Sequence, residues 1–414
     1  MKTAPRPNKN ETNSPMTRRH FLAGTSASVL AFTVLKPDLV HGAEANAKVD
    51  IGLIGCGGRG KWIADLFRKN GGFNVVALAD YFPDRVNEAG DQFKVDQDRR
   101  FSGLSGYRKL LEQKLDAIVV ETPPYFHPEH AAAGVEAGKH VYVAKPIAVD
   151  VPGCLTVEAS GRKATAKKLC FLVDFQTRAN KFYKEAVQRV HQGELGRIVS
   201  VEANYQCGAT WDQMDQYLRK DPKNPEVRLR AWGVDRVLSG DIITEQNIHA
   251  IDVASWMINA EPIRAVGTGG RTREFLGDCW DHFAVIFYYP NDLIVSFNSH
   301  QSGFGYDDIM CRVFGLSGTA DTHYFGEVTV KTSDFHSSNN VGNLYTEGVM
   351  GNIATFHDSI VSGDCTNPTV APSVRSTLTT ILGRMAAYKN GEATWKEMVA
   401  SKPKLEADLT GLKA

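Results

Sequence analysis

The sequence predicts two domains: a parallel α/β domain, followed by an α+β domain whose sheet is largely antiparallel. Three observations support this prediction: a glycine-rich turn directly after a buried strand, strands and helices that alternate through the first part of the chain, and a hairpin pattern in the second half. With 414 residues and 43% hydrophobic content, the chain is long enough to bury a core in each domain.

The first domain opens with a predicted strand, Lys48 to Ile54, which runs into Gly55-Cys56-Gly57-Gly58-Arg59-Gly60 and then an amphipathic helix over Lys61 to Lys69. The next apolar run, Phe73 to Ala79, ends on Asp80. This order of strand, glycine turn, helix and acid is typical of a dinucleotide-binding Rossmann unit, whereas a glycine motif without that context is weak evidence.

The spacing of the glycines has a steric reason. The first permits the tight turn, the second lets the backbone approach a pyrophosphate, and the third allows the helix to pack closely, with its N-terminus facing the anion. An acid after the second strand accepts hydrogen bonds from ribose hydroxyls and repels a 2′-phosphate, which favours NAD over NADP. The predicted cofactor contacts from this unit are Gly55, Gly57, Gly58, Arg59, Gly60 and Asp80.

Two further strands are predicted at Ala117 to Val120 and His140 to Val143, with a helix over His130 to Ala137 between them. The carboxyl ends of parallel strands open into the nucleotide crevice. The residues that follow these two strand ends are therefore predicted cofactor contacts, namely Thr122, Pro123, His127 and Lys145.

The pattern changes in the second half, which predicts a largely antiparallel sheet. Arg197 to Ala203 alternates, and Phe283 to Tyr289 and Leu293 to Phe297 flank a Pro290-Asn291-Asp292 turn. Helices are predicted from 244 to 259 and from 376 to 388. The predicted boundaries are a leader at 1–47, the nucleotide domain at 48–171, the second domain at 172–370, and a C-terminal helix and tail at 371–414.

A polar stripe marks the first of these helices. Glu245, His249 and Asp252 stand at positions i, i+4 and i+7, so they share one helical face. A histidine on a half-buried helix is more often a hydrogen-bonded core residue than a catalyst. The spacing alone leaves both interpretations of His249 open.

From about Lys48 to near Ser401 the chain resembles the Gfo/Idh/MocA oxidoreductase family. The resemblance rests on the glycine turn, on the stretches at 136–141 and 144–146, and on the stretch at 240–252. It implies a catalytic centre of Lys145, Glu245 and His249, in which the histidine takes a hydroxyl proton, the acid orients the histidine and the lysine stabilises the alkoxide. Two residues depart from the family pattern: Ala144 replaces a glutamate and Glu245 replaces an aspartate.

The resemblance also suggests residues around the substrate. Gln176 is expected beside the nicotinamide, and the side chains expected near a sugar are Arg178, Tyr205, Trp232, Asp252 and His282. Aromatic groups suit the apolar faces of sugars, although core packing explains Tyr205 and Trp232 equally well. A homo-oligomer built through the sheets of the second domain is expected from the resemblance alone.

The N-terminal segment predicts export. Thr17-Arg18-Arg19-His20-Phe21-Leu22 and the weakly apolar run to Leu35 are typical of a twin-arginine signal peptide, with small-residue cleavage sites at 43–45 and 45–47. A tail that carries two arginines by chance is the alternative. The signal predicts interaction with the twin-arginine export machinery and a periplasmic or extracytoplasmic location, reached by a protein already folded around its cofactor.

Composition adds mainly exclusions. The formal net charge is zero, which gives no sign of a nucleic-acid partner. The seven cysteines form no C-x-x-C pair and no cluster with metal-ligand spacing, so neither a metal nor a disulfide framework is predicted.

The sequence therefore predicts an enzyme that moves a hydride between a tightly bound NAD and a sugar, polyol or glycoside. Bound cofactor in an exported enzyme requires a closed redox cycle. An NAD-dependent glycoside hydrolase that works through a transient ketone is the alternative, and a nucleotide-binding protein without turnover is a further one.

Overall fold

The computed structural model describes residues 48–303 and 306–414. The predicted leader lies outside these residues. None of the described helices combines the length and the hydropathy that a membrane-spanning helix requires.

A six-stranded parallel sheet forms the first domain, in the order β3-β2-β1-β4-β5-β6. The order reverses between β1 and β4, and at such a point the strand ends leave a crevice for a ligand. The strands are β1 (Val49–Ile54), β2 (Phe73–Asp80), β3 (Arg100–Ser102), β4 (Ala117–Val120), β5 (His140–Ala144) and β6 (Phe171–Asp174).

Helices connect these strands, as expected for parallel neighbours. Gly57 caps the first helix, and the buried residues of that helix, such as Ile63 and Phe67, pack against the apolar side chains of β1. The connecting helices are α1 (Gly58–Asn70), α2 (Pro83–Phe93), α3 (Gly106–Leu111), α4 (His127–Glu136) and α5 (Val151–Ala166).

The second domain is a nine-stranded sheet in the order β14-β13-β12-β11-β7-β10-β9-β8-β15. β7 and β10 run parallel, and the other neighbours are antiparallel. The strands are β7 (Ile198–Cys207), β8 (Arg264–Gly270), β9 (His282–Tyr288), β10 (Ile294–Gln301), β11 (Asp308–Gly315), β12 (Gly318–His323), β13 (Glu327–Thr332), β14 (His336–Asn340) and β15 (Glu392–Thr394). The predicted fold class is thus confirmed.

One face of this sheet packs against helices, and the other face is open and exposes Val266, Ile286 and Ile294. The remaining helices are α6 (Gln176–Ala179), α7 (Lys181–His191), α8 (Asp212–Lys220), α9 (Pro225–Arg230), α10 (Arg236–Ser239), α11 (Ile242–Glu245), α12 (Ile248–Ile258), α13 (Leu344–Ser362), α14 (Val370–Tyr388) and α15 (Trp395–Ser401). The open face is consistent with the expected oligomer, which stays a prediction.

Three sequence predictions need correction. The predicted domain boundary at 171 cuts through β6, which pairs with β5 in the first sheet, so this sheet extends to Asp174. The predicted single helix over 244–259 is two helices, because the chain turns at Gln246 and Asn247 between α11 and α12. The predicted helix at 376–388 begins earlier, at Val370, and α14 packs against both α5 and β8.

Candidate active site

The glycine turn has the geometry that the sequence predicts. Gly55 has a φ of +100°, and a Cβ atom there would lie 2.6 Å from the backbone of Glu121. A Cβ on Gly60 would lie 1.9 Å from the carbonyl oxygen of Gly55. A Cβ on Gly58, in contrast, would meet no atom within 4 Å. The turn is therefore packed tightly against the strands and open on the side that faces a ligand.

The start of α1 is suited to an anion. The first turn of α1 contains no acidic residue, and no side chain caps its N-terminus. The free N–H groups and the positive end of the helix dipole therefore remain available to a pyrophosphate.

Asp80 lies at the end of β2, beside this turn. One carboxylate oxygen accepts a hydrogen bond from the backbone N–H of Cys56 at 2.7 Å, and the other accepts from the backbone N–H of Phe82 at 2.9 Å. Burial raises the pKa of Asp80 above its usual value. The carboxylate is thus fixed in place, and its remaining lone pairs can accept from ribose hydroxyls.

A cleft of about 350 Å³ opens over these groups. It extends from Asp80, past Gly57 and Thr122, to Glu121 and Glu245. Both domains contribute to its walls. A nicotinamide dinucleotide fits this chemistry, because the cleft offers bare backbone for phosphates at one end and charged side chains at the other.

Lys145 joins the two domains beside the charged end of the cleft through Glu245, which lines the cleft, whereas Lys145 and His249 are not among the lining residues. Its Nζ lies 3.1 Å from Oε1 of Glu245 and also donates to the backbone carbonyl of Glu245. Burial lowers the pKa of Lys145, while the Glu245 carboxylate acts in the opposite direction. The ammonium is therefore held at a defined position, only slightly exposed to solvent.

His249 stands at the start of α12, one turn beyond Glu245. Burial lowers the pKa of His249 well below its usual value, and the charges of Lys145 and Arg59 lower it further. Its Nδ1 has no hydrogen-bond partner among the described residues. The imidazole is therefore neutral near pH 7 and able to accept a proton.

The predicted partnership of Glu245 with His249 is wrong in this geometry. The predicted stripe assumed one continuous helix, whereas the turn at Gln246 and Asn247 interrupts the helical spacing. The Glu245 carboxylate lies against Lys145 instead. Glu245 thus positions the lysine, and the structure assigns no acid to the histidine.

Thr122 and Pro123 line the cleft, as predicted for cofactor contacts. His127 does not line it. One ring nitrogen of His127 lies 2.7 Å from the carbonyl of Pro146, and the other lies 2.7 Å from the carbonyl of Thr122. Burial lowers the pKa of His127 to about 4. The predicted cofactor contact of His127 is therefore corrected: its side chain braces two loops beneath the cleft.

Arg178 and Asp252 form a buried ion pair away from the cleft. The guanidinium donates twice to the carboxylate, at 3.0 and 2.8 Å, and the hydroxyl of Ser376 donates to the same carboxylate at 2.6 Å. Asp252 has no exposed surface. The expected substrate contacts of both residues are wrong, because each is fully engaged in joining α6, α12 and α14.

Of the other expected substrate residues, Trp232 lines the cleft, whereas Tyr205 and His282 do not. Trp232 lines the cleft and faces Trp211, with ring centroids 5.6 Å apart. Tyr205 is buried in the core beneath the sheet. His282 lies on the open face of the sheet and pairs with Asp281 at 2.7 Å, outside the cleft, which corrects its expected substrate contact.

Gln176 is buried, and its Oε1 has no hydrogen-bond partner in the described part of the chain. It is not part of the cleft lining, so its expected contact with the nicotinamide stays a prediction. Among the described residues, no group of three or more His, Cys, Asp or Glu side chains could hold a metal ion.

The C-terminal residues lie over the nucleotide end of the cleft, and the sequence did not predict this position. The backbone N–H of Leu104 donates to the carbonyl of Lys413 at 3.0 Å, and the backbone N–H of Lys413 donates to the hydroxyl of Tyr81 at 3.1 Å. The Tyr81 hydroxyl in turn donates to Glu226 of α9 at 2.8 Å. We call residues 402–414 the tail. No spacing or composition in the tail signals this contact.

α9 makes a second set of contacts with the first domain at the nucleotide end of the cleft. Arg230 pairs with Asp84 of α2 at 3.1 Å and lies over the ring of Phe82, 4.0 Å from its centroid. Apolar side chains from the first domain, from α9 and from the tail pack together there, including Leu229 and Leu412. The nucleotide end of the cleft is thus spanned by α9 and the tail.

Comparison with known proteins agrees with this architecture. Residues 49–172 match the family profile described as "Oxidoreductase family, NAD-binding Rossmann fold", and residues 183–321 match the profile described as "GFO/IDH/MocA C-terminal domain". An inositol 2-dehydrogenase of Rhizobium meliloti is 25% identical over 329 residues, covering 76% of this chain and 89% of that enzyme. An uncharacterized oxidoreductase of Bacillus subtilis, YrbE, is 25% identical over 69% of this chain and 77% of its own length.

Solved structures share the fold. Levoglucosan dehydrogenase, in a complex with NADH and levoglucosan, superimposes with a TM-score of 0.68 at 19% identity, covering 84% of this chain and 99% of that one. An aldose-aldose oxidoreductase from Caulobacter crescentus gives a TM-score of 0.66 at 19% identity over the same shares of the two chains.

Proposed function

Since the chain belongs to the Gfo/Idh/MocA oxidoreductase family, with an NAD-binding Rossmann domain, we propose that it oxidises or reduces a sugar or polyol while its nicotinamide cofactor stays bound. The observation that carries the proposal is the contact of Lys145 from the first domain with Glu245 from the second, 3.1 Å apart at the charged end of the cleft. The inositol dehydrogenase relatives support a polyhydroxylated substrate.

The residues of the chain fit NAD. The bare turn at Gly57 and Gly58 and the uncapped start of α1 would hold the pyrophosphate, and Asp80 would accept from the adenosine ribose. NAD when bound supplies the site that accepts or donates the hydride.

The side chains at the charged end supply the proton chemistry. Neutral His249 is the base that takes the proton of the substrate hydroxyl as the carbon is oxidised. Lys145 places its ammonium where the oxygen becomes negative, and Glu245 keeps that ammonium in position. In the reverse direction the protonated histidine returns the proton to the alkoxide.

The contacts that cross the nucleotide end of the cleft support the proposed retention of the cofactor. Tyr81 and Leu104 line the cleft, and the tail bonds to both of them. A nucleotide beneath the tail leaves only when these contacts and the apolar cluster around Leu229 open. We therefore propose that substrates exchange while NAD stays, so that the oxidation of one molecule is balanced by the reduction of another.

The same retention suits export. The twin-arginine stretch at 17–22 supports export of a folded protein, and a cofactor bound beforehand would be held during transfer. We propose an extracytoplasmic location on these grounds. Fractionation of cells that express the full chain, compared with the variant R18K/R19K, would test it. Equal amounts of both proteins outside the cytoplasm would contradict it.

The test of the function begins with protein purified without added nucleotide. After denaturation, the supernatant is assayed for NAD(H), and the native protein is incubated with a panel of polyols, aldoses and glycosides while nicotinamide absorbance is followed. We expect nucleotide near one equivalent and reduction by some polyols or sugars. Protein that binds no nicotinamide nucleotide, even when it is added, would overturn the proposal. Cleavage of a glycoside without net reduction would favour the hydrolase alternative.

A further inference from the structure

The family pattern has a glutamate beside the catalytic lysine, and this chain has Ala144 there. The strand register shows where an acid stands instead. Val120 of β4 pairs with Val143 of β5, and Ala144 is the next residue of β5. On its other side the backbone N–H of Glu121 donates to the carbonyl of Ile54 in β1 at 2.8 Å, so β4 stays extended for one more residue. Glu121 is therefore level with Ala144, on the neighbouring strand.

These positions also share a face of the sheet. Side chains two residues apart on a strand point to the same side. Val119, Tyr142 and Leu172 belong to one apolar cluster with the buried face of α1. Glu121, Ala144 and Asp174, each two residues further along, consequently point to that same side, and Ala144 pairs with Asp174.

Arg59 pairs with both of these acids. Its Nε lies 3.1 Å from Oε2 of Glu121, and its Nη2 lies 3.0 Å from Oδ2 of Asp174. The guanidinium thus joins the acids on either side of Ala144. Asn352 satisfies the other oxygen of Asp174 at 2.8 Å. A glutamate at 144 would place a third carboxylate beside Glu121 and Asp174, which already share the single guanidinium of Arg59.

Glu121 is the residue of this group whose carboxylate oxygens can still accept hydrogen bonds. It lines the cleft, yet neither of its oxygens accepts a hydrogen bond of good geometry from the described residues. Burial raises the pKa of Glu121 to about 7, which Arg59 opposes. A buried carboxylate without hydrogen bonds is costly, and a ligand that brings hydroxyl donors or a positive charge removes that cost.

We propose that Glu121, held by Arg59, is the cleft carboxylate of this chain, moved by one strand from position 144, and that it receives the nicotinamide half of the cofactor. The inference rests on the proposed function, since it assigns a ligand to the same cleft. Glu121 is a positioning residue: Arg59 supplies its countercharge, and the ribose hydroxyl groups of NAD⁺ would supply the hydrogen-bond donors that its oxygens lack.

The test measures nucleotide retention, independently of turnover. Purified protein is loaded with NAD⁺, and the bound nucleotide is exchanged against isotope-labelled NAD⁺. We expect Glu121→Gln to speed the exchange about ten- to a hundred-fold, the range of a lost charge-assisted hydrogen bond. The matched control is Glu112→Gln, an exposed acid of the same domain, which should exchange like the wild type. Melting temperatures verify that both variants are folded.

Moving the glutamate from position 121 to position 144 tests whether its carboxylate positions the cofactor or only packs in the wall of the cleft. Glu121→Ala should exchange fast, Ala144→Glu alone should also weaken retention through like-charge repulsion, and the double variant E121A/A144E should regain most of the wild-type retention. Wild-type exchange in Glu121→Gln, or a double variant no better than E121A, would overturn the inference. Wild-type protein that holds no NAD⁺ would instead refute the proposed function, so the two failures are distinguishable.

Discussion

The two ends of the cleft are built from different parts of the polypeptide. At the nucleotide end the backbone makes the site: Gly55 and Gly60 have no room for a side chain, and Gly58 leaves open space. At the catalytic end side chains from both domains make it, with Lys145 against Glu245 and Arg59 between Glu121 and Asp174. A backbone site tolerates few substitutions, whereas a side-chain site can exchange one acid for another on a neighbouring strand.

The catalytic end should show the largest effect when its base is removed. We expect His249→Ala to lower turnover about 10²- to 10⁴-fold, because a positioned general base is lost, with NAD content unchanged. The measurement is kcat with a reactive polyol, together with nucleotide released on denaturation. His336→Ala, at an exposed histidine of β14, is the control and should change neither. Loss of bound NAD in His249→Ala would blur the distinction between the two ends.

The nucleotide end should instead fail through its backbone. In Gly60→Ala the new Cβ would lie 1.9 Å from the Gly55 carbonyl oxygen, so we expect a loss of about 1–3 kcal/mol in unfolding free energy and loss of bound NAD. Gly58→Ala is the matched variant, since its Cβ meets nothing within 4 Å, and its melting temperature should equal that of the wild type. Equal stability of the two variants would show that the turn is less tightly packed than described.

The Arg178–Asp252 pair provides a contrast with both ends. Because the pair is buried, Asp252→Asn leaves one charge uncompensated, and we expect a loss of about 3–5 kcal/mol in unfolding free energy. The surface pair of Glu185 with Arg189 is the control, and Glu185→Gln should cost less than about 1 kcal/mol. Denaturant titration measures both variants. A raised KM in folded Asp252→Asn, without the loss of stability, would return Asp252 to the substrate site.

Acid should weaken the fold at the wall of the cleft that His130 lines. Burial lowers the pKa of His130 to about 3, from an ordinary value of 6.5. Between these values the unfolded chain binds protons that the folded chain excludes, so stability falls as the pH drops below about 6.5. At pH 5 we expect the exclusion of this proton from His130 to cost roughly 2 kcal/mol of unfolding free energy. His130→Asn should flatten the pH dependence of the melting temperature, and an unchanged slope would contradict the assignment.

The same contrast explains what the sequence could predict. The glycine turn and Asp80 are local: strand, turn and helix follow one another in the chain, so their spacing predicts the site. The strands at 117–120 and 140–144 were predicted within a residue of their bounds, because buried parallel strands are continuous apolar runs.

Contacts between distant segments were beyond prediction. The role of Glu121 depends on its register with Ala144 and on Arg59, and the cover of the cleft depends on Lys413 reaching Tyr81. Helical periodicity failed at Gln246 and Asn247, where the chain turns and directs Glu245 to Lys145. The partner of a charged residue is set by tertiary packing, and a single sequence carries no signal for it.

In the proposed reaction, Lys145 and His249 act on a hydroxyl whose carbon gives its hydride to NAD held in this cleft. The direct test uses NAD-loaded protein and a polyol deuterated at its carbinol carbons, with mass spectrometry of the nicotinamide after one turnover. We predict deuterium on the nicotinamide ring in the wild type, and the same product formed about 10²- to 10⁴-fold more slowly in His249→Ala. Oxidised polyol with its deuterium in the solvent, and none on the ring, would contradict the account.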